Sequence, residues 1–334
     1  MKKKKYRDTD YLHATARVRA LENGMISHRD FQKMIDAKTA EEAYKVLSDA
    51  PICHGTPIAE YERALEENLL DAYQLLDRIA PGSGLPQLFR CQYDGHNLKT
   101  AIKAKRGSGD VSNVYSNLGN LPAAVIAAEV ESGNLEGLPS PLQEAALEAT
   151  DTLAKTGDPQ AVDILLDRGI LASMVQQAED IPSPVVQKYV RAQVDIANIR
   201  AAVRLKRMGK NANFLGKVLA PGGSMTVAAI SEAYTKGYDA IFALVSGSPY
   251  GKALEPAYDS IRSGGSLSLF EKLCDNALVA MLDEVRRIPF GIEPLLAYLA
   301  AKEGETKAAR IVMTSKLAGV PPQQITERLR DTYA

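Results

Sequence analysis

One pattern occurs three times in this chain and limits what it can fold into: an acid and a lysine eleven residues apart, on a stretch of helical period. The first copy runs from Asp94 through Asn97, Leu98, Lys99, Ile102 and Lys103 to Lys105 and Arg106. The second runs from Asp195 through Asn198, Ile199, Arg200, Val203 and Arg204 to Lys206 and Arg207. A weaker third runs from Glu305 through Ala308, Ala309, Arg310 and Met313 to Lys316 and Leu317. The acids at 94, 195 and 305 lie 101 and then 110 residues apart. Solenoid repeats recur every ~20–50 residues, so spacings this long imply repeated domains.

At 100° per residue, eleven residues return a helix to within about 20° of its starting direction. Asp94 and Lys105 therefore share a face with Leu98, Ala101 and Ile102, with Asn97 at its border. Asp195 with Lys206, Asn198 beside them, and Glu305 with Lys316 repeat the arrangement. The same eleven residues rise about 16 Å, so acid and lysine cannot pair within one helix. Charges on an apolar face need partners. The expectation is a structural role for these residues, each acid meeting a lysine or backbone group of a neighbouring element.

The other side of each helix is basic. Lys99, Lys103 and Arg106 stand at i, i+4 and i+7, as do Arg200, Arg204 and Arg207. The third copy keeps Arg310 and then shows Thr314 and Leu317. Such a stripe is either a solvated face or a docking strip for an acidic partner. An adaptor binding an acidic peptide or RNA is the alternative reading. The chain has no Trp and only 6% aromatic residues, which leaves little for a base-stacking platform. Its net charge of -1 also argues against generic nucleic-acid or anionic-membrane binding.

The remaining segments also carry helical period. Tyr11, Ala14, Val18 and Leu21 mark one face. Ser27 with Asp30 and Thr39 with Glu42 have the spacing of helix N-caps. Residues Tyr61 to Ile79 read as one amphipathic helix, broken at Pro81-Gly82. No alternating strand pattern is present, so the fold class is all-α. Joints are expected at Gly107-Ser108-Gly109-Asp110 and between Gly209 and Gly223, which gives domains 1–108, 109–216 and 217–334. Lys2 to Lys5 read as a solvated tag, since no apolar stretch follows them. No run of 18 apolar residues is long enough to span a membrane.

Catalytic signals are missing. There is no phosphate-binding loop of the G-x-x-x-x-G-K-[ST] type. Pro221-Gly222-Gly223-Ser224 reads as the entry to the next helix. The histidines at 13, 28, 54 and 96 lack metal-ligand spacing, and three scattered cysteines form no zinc pattern. Cys53-His54 is only a weak hint of a nucleophile and its base. Neither a catalytic residue nor a cofactor or metal is expected.

Three segments together resemble the C-type component of V/A-type ATP synthases, related to the d component of eukaryotic V-ATPases. They are Ala16 to Glu22, the second repeat helix running on to Pro221-Gly222-Gly223, and Pro289 to Tyr298. The last continues through Ala301-Lys302-Glu303 and Lys316-Leu317 to Pro321-Pro322, Ile325, Glu327-Arg328-Leu329 and Tyr333. The resemblance implies an all-helical funnel of three similar domains about a pseudo-threefold axis. It implies a non-catalytic rotor part that couples the central shaft to the membrane proteolipid ring, so that ATP turnover and proton or sodium transport share one rotation. It places the protein in the cytoplasm, peripheral at the inner face of the membrane and without a span. On that reading Lys99, Lys103, Arg106, Arg200, Arg204, Arg207 and Arg310 are expected to contribute to shaft binding. The resemblance covers nearly the whole chain and is weakest between about 110 and 185.

Overall fold

A computed structural model describes residues 7–107 and 110–333. The Lys2–Lys5 tag and the centre of the Ser108-Gly109 joint lie outside the described residues. Among those residues there are helices, turns and loops but no strand, so the chain is all-α as its periodicity implies. The helices are α1 (Leu12–Glu22), α2 (His28–Asp36), α3 (Ala40–Asp49), α4 (Tyr61–Ile79), α5 (Leu85–Ala104) and α6 (Ala123–Ser132). Next come α7 (Ser140–Thr156), α8 (Pro159–Asp180), α9 (Pro184–Arg207), α10 (Ala212–Val218), α11 (Val227–Lys236) and α12 (Tyr238–Ser246). The last are α13 (Gly251–Leu254), α14 (Tyr258–Arg262), α15 (Ser268–Asp283), α16 (Glu293–Leu317) and α17 (Pro322–Arg328).

The local signals act as expected. The Ser27 hydroxyl accepts from the Asp30 N–H, and Asp30 reaches back to Ser27, which fixes the start of α2. Thr39 accepts from the Glu42 N–H at the start of α3. α4 begins and ends where the amphipathic period does, and buries Leu65, Leu69, Ala72, Tyr73 and Leu76.

The helices divide into two compact units, Met1–Pro86 with Pro256–Ala334, and Gln87–Glu255. In the first, α16 is the core helix and packs against α1, α2, α3 and α4. Its Ala308, Ala309, Val312 and Met313 meet Phe31, Met34, Ile35, Leu47 and Leu65 in one buried cluster. The N-terminal and C-terminal thirds of the sequence are thereby joined. In the second unit, α7 and α8 form a tight hairpin in which a Cβ at Gly169 would stand 2.4 Å from the Ala145 methyl. α9 packs against α8, α10, α11 and α12, and buries Val194, Ile196, Ile199, Ala202 and Val203. The three acid–lysine helices are α5, α9 and α16.

Candidate functional site

Each acid is fully or nearly fully buried: Asp94 and Asp195 are 0% exposed and Glu305 is 2%. Each accepts from backbone N–H groups just before a short helix. Asp94 Oδ1 accepts from Asn120 at 2.8 Å and from Leu121 at 3.1 Å, ahead of α6. Asp195 accepts from Ser224 and Met225, both at 3.0 Å, ahead of α11. Glu305 accepts from Ile26 at 2.6 Å, ahead of α2. The lysines hold the other ends of the same helices. Lys105 Nζ donates to the Val130 carbonyl at 2.6 Å, and Lys206 Nζ to that of Tyr234 at 2.8 Å. Lys316 Nζ donates to the carbonyls of Ile35 and Ala37 at 2.5 and 2.6 Å.

The two bound backbone groups are nine residues apart in every copy: 121 and 130, 225 and 234, 26 and 35. The eleven-residue spacing of the charges thus matches the length of a short helix lying alongside. The acid, earlier on the long helix, meets the start of the short one, so the two run in the same direction. Carboxylate at the positive end and ammonium at the negative end complement the short helix's dipole. Each lysine also satisfies a last-turn carbonyl that has no intrahelical partner. This clasp is why charges sit on an otherwise apolar face.

Glycine makes the close approach possible. Gly24, Gly119 and Gly223 each stand three residues before the N-caps Ser27, Pro122 and Thr226. A Cβ at Gly119 would lie 2.6 Å from Asp94 Oδ1, and one at Gly223 2.1 Å from Asp195 Oδ1. At Gly24 the nearest atoms would be at 3.5 and 3.6 Å, ordinary contact. The third acid is glutamate, one methylene longer, and it spans a wider gap. It also holds Lys302 at 2.5 Å in a buried pair. Asp195 accepts further from the hydroxyls of Ser224 and Tyr250. Asp94 accepts from the Asn120 side chain at 2.7 Å. Burial raises the Asp94 pKa above its ordinary 3.8, outweighing the hydrogen bonds from Leu121 and Asn120 that pull it down.

Asn97 donates to the Ser116 carbonyl and accepts its N–H, both at 2.9 Å. Asn198 does the same with Ala220, both at 2.8 Å. These staples bind non-helical chain leading into the short helix. In the third copy that stretch is the end of α1, where Leu21 and Glu22 carbonyls already accept from Gly24 and Met25. An asparagine has nothing to bind there, and Ala308 packs into the core instead.

The basic residues meet acids and carbonyls of this chain. Lys99 pairs with Asp167 and Lys103 with Asp163, both at 2.5 Å, and both acids are on α8. Arg106 donates to the Leu153 carbonyl at the end of α7 at 2.9 Å. Arg310 pairs with Glu62 on α4 at 2.7 Å. Arg200, Arg204 and Arg207 also have interaction partners. The Cys53 thiol is buried and its pKa is pushed up to about 11, which removes the thiolate that a nucleophile would need. No group of three metal-binding side chains occurs among the described residues.

Gly119 and Tyr250 escaped the sequence reading, and Gly223 was read only as part of the entry to the next helix. A glycine three places before each short helix was the available signal.

The sequence pattern of the ATP synthase (C/AC39) subunit family matches residues 14–328. Among curated relatives, the C-type component of the A-type ATP synthase of Desulfurococcus sp. is 24% identical, the match covering 96% of this chain and 90% of the relative. Its counterpart in the V-type sodium ATPase of Enterococcus hirae is 23% identical, over 97% of this chain and 99% of the relative. The counterpart in the A-type ATP synthase of Thermococcus gammatolerans is 25% identical, over 98% and 91%.

Proposed function

Because the chain belongs to the ATP synthase (C/AC39) subunit family, a non-catalytic part of A/V-type rotary complexes, we propose that it couples the central shaft to the membrane proteolipid ring. The family match across residues 14–328 carries this reading. The clasps support it mechanically. Two of them cross the joints expected near 108 and 216, and the third ties α16 back to α2. Three domains stitched in this cyclic way would transmit torque without shearing at their linkers. The funnel about a pseudo-threefold axis, divided at 1–108, 109–216 and 217–334, belongs to the same proposal.

No described helix is long and apolar enough to cross a membrane, so contact with the ring would be made by protein surface, peripheral to the bilayer. The seven basic residues are proposed to contribute to shaft docking. Four of them already hold exposed acids or carbonyls of this chain, so a shaft acid would exchange with those weak pairs.

The test is bridging. A proteolipid ring in detergent is immobilised, and purified shaft proteins are passed over it with and without this chain. Shaft retention only when the chain is present is the expected result. Retention without it, or binding of the chain to neither component, would overturn the proposal.

A further inference from the structure

A cavity of about 420 Å³ opens in the unit built from Met1–Pro86 and Pro256–Ala334, between α1, α4 and α16. Its polar lining is Arg17, Asn68, Asp71, Arg78, Tyr298 and Lys302. This set stands out for what it lacks. Among the described residues no hydrogen bond or ion pair engages the side chains of Arg17, Asp71 or Arg78. Asn68 Oδ1 is buried without a partner. Tyr298 is only 4% exposed, yet its hydroxyl has no hydrogen-bond partner among the described residues. Lys302, 7% exposed, spends one donor on Glu305 at 2.5 Å and has two more.

Leaving a buried polar group unpaired costs about 1–3 kcal/mol, and Asn68 Oδ1 is such a group. The exposed side chains of Arg17, Asp71 and Arg78 and the Tyr298 hydroxyl line the same opening. Arg17, Arg78 and Lys302 outnumber Asp71 and the Glu305 carboxylate that already holds Lys302, so the cavity favours an anion. The donors are two guanidinium forks, an ammonium and a phenol. That number suits the several oxygens of a phosphate better than the two of a carboxylate. Burial pushes the Tyr298 pKa up to about 12, which keeps its hydroxyl a donor. Asp71 and Asn68 Oδ1 are acceptors and call for a donor on the same ligand. The volume falls in the ordinary range for small-ligand sites, about 300–1,000 Å³.

We infer that this cavity binds a phosphate ester carrying an amine or hydroxyl, its phosphate on Arg17, Arg78 and Lys302 and its donor on Asp71 and Asn68. Such a group is found free in solution or as the headgroup of a phospholipid. Neither the family assignment nor the coupling proposal is needed for this assignment.

The experiment is calorimetric titration of the full chain with phosphoethanolamine, and separately with inorganic phosphate and with ethanolamine. Saturable binding of phosphoethanolamine is expected, at least about tenfold tighter than either half. Joint substitution of Arg17→Gln and Arg78→Gln should weaken it at least about tenfold with an unchanged circular-dichroism spectrum, because both side chains are exposed and unpaired. Lys236→Gln, on α11 of the other unit and not part of the lining, serves as the control and should bind as the parent does. Flotation with phosphatidylethanolamine vesicles separates the sources. Flotation that needs Arg17 and Arg78 assigns the site to the lipid headgroup, and ester binding without flotation assigns it to the free ester. No saturable binding by the folded chain, or equal affinity in the Arg17→Gln/Arg78→Gln variant, would overturn the inference.

Discussion

Alanine at Gly223 should be the most damaging single methyl in the clasps. The added carbon would stand 2.1 Å from Asp195 Oδ1, 3.0 Å from its Cγ and 3.4 Å from Val194 Cγ1. Gly223 does not have positive φ, so its backbone is open to alanine and the conflict is steric. Relief requires the carboxylate and the loop to part by about 1 Å, since Cβ contacts below about 3 Å do not persist. Asp195 holds the N–H groups of Ser224 and Met225 at 3.0 Å each, and both bonds would be lost at that displacement. Hydrogen bonds to a charged group contribute about 1.5 kcal/mol or more each, so the loss is about 3 kcal/mol. Restricting the unfolded chain returns about 0.4–1 kcal/mol, which leaves a net destabilisation of about 2–3 kcal/mol. Urea unfolding followed by circular dichroism is the assay, with Gly119→Ala and Gly24→Ala alongside. Gly119→Ala should be damaging by the same mechanism, with its carbon 2.6 Å from Asp94 Oδ1. Gly24→Ala should be near neutral, because its nearest neighbours lie at 3.5 Å or beyond. Equal stability of Gly223→Ala and the parent, or equal damage from Gly24→Ala, would refute the clasp geometry.

Further outcomes follow from the same contacts. The Asp94 pKa is raised in the folded chain above the ordinary 3.8, so its contribution to stability is fully present below 3.8 and is lost as pH rises through the folded value; urea midpoints measured against pH should show that slope, and Asp94→Asn should remove it. Lys99→Met and Lys103→Met should each cost under about 1 kcal/mol in urea unfolding, because their pairs with Asp167 and Asp163 are partly solvated. Cys53 and Cys91, with pKa values pushed up to about 11 and about 12 by burial, should resist a thiol reagent in the native chain and react once urea is added. Reversing Arg200 and Arg204 to glutamate should slow shaft association at low salt, read by surface-binding kinetics, and the effect should fade at high salt.

The helices were legible because their signals are local. The period of Tyr61 to Ile79 and the caps at Ser27 and Thr39 depend on neighbours in the chain. The acid–lysine spacing was also legible, as was the demand that buried charges find partners. Their targets were not. The N–H groups at 26, 121 and 225 and the carbonyls at 35, 130 and 234 belong to the backbone, which every residue supplies alike. Ala308 was visible as a departure from Asn97 and Asn198, but its reason lies in the helical end of α1. The stripe at Lys99 and Lys103 read either as a solvated face or as a docking strip. In the fold these lysines pair with Asp167 and Asp163 of this chain, 68 and 60 residues away, and one-dimensional spacing carries no sign of such a pairing.

ATP-driven ion transport into vesicles tests the coupling role most directly. The holo-complex is reconstituted with this chain, depleted of it, and depleted then resupplied. Transport that collapses on depletion while ATP hydrolysis by the catalytic head persists, and that returns on resupply, is the result predicted for a protein joining shaft to ring. Transport per ATP hydrolysed that is unchanged by depletion would contradict it.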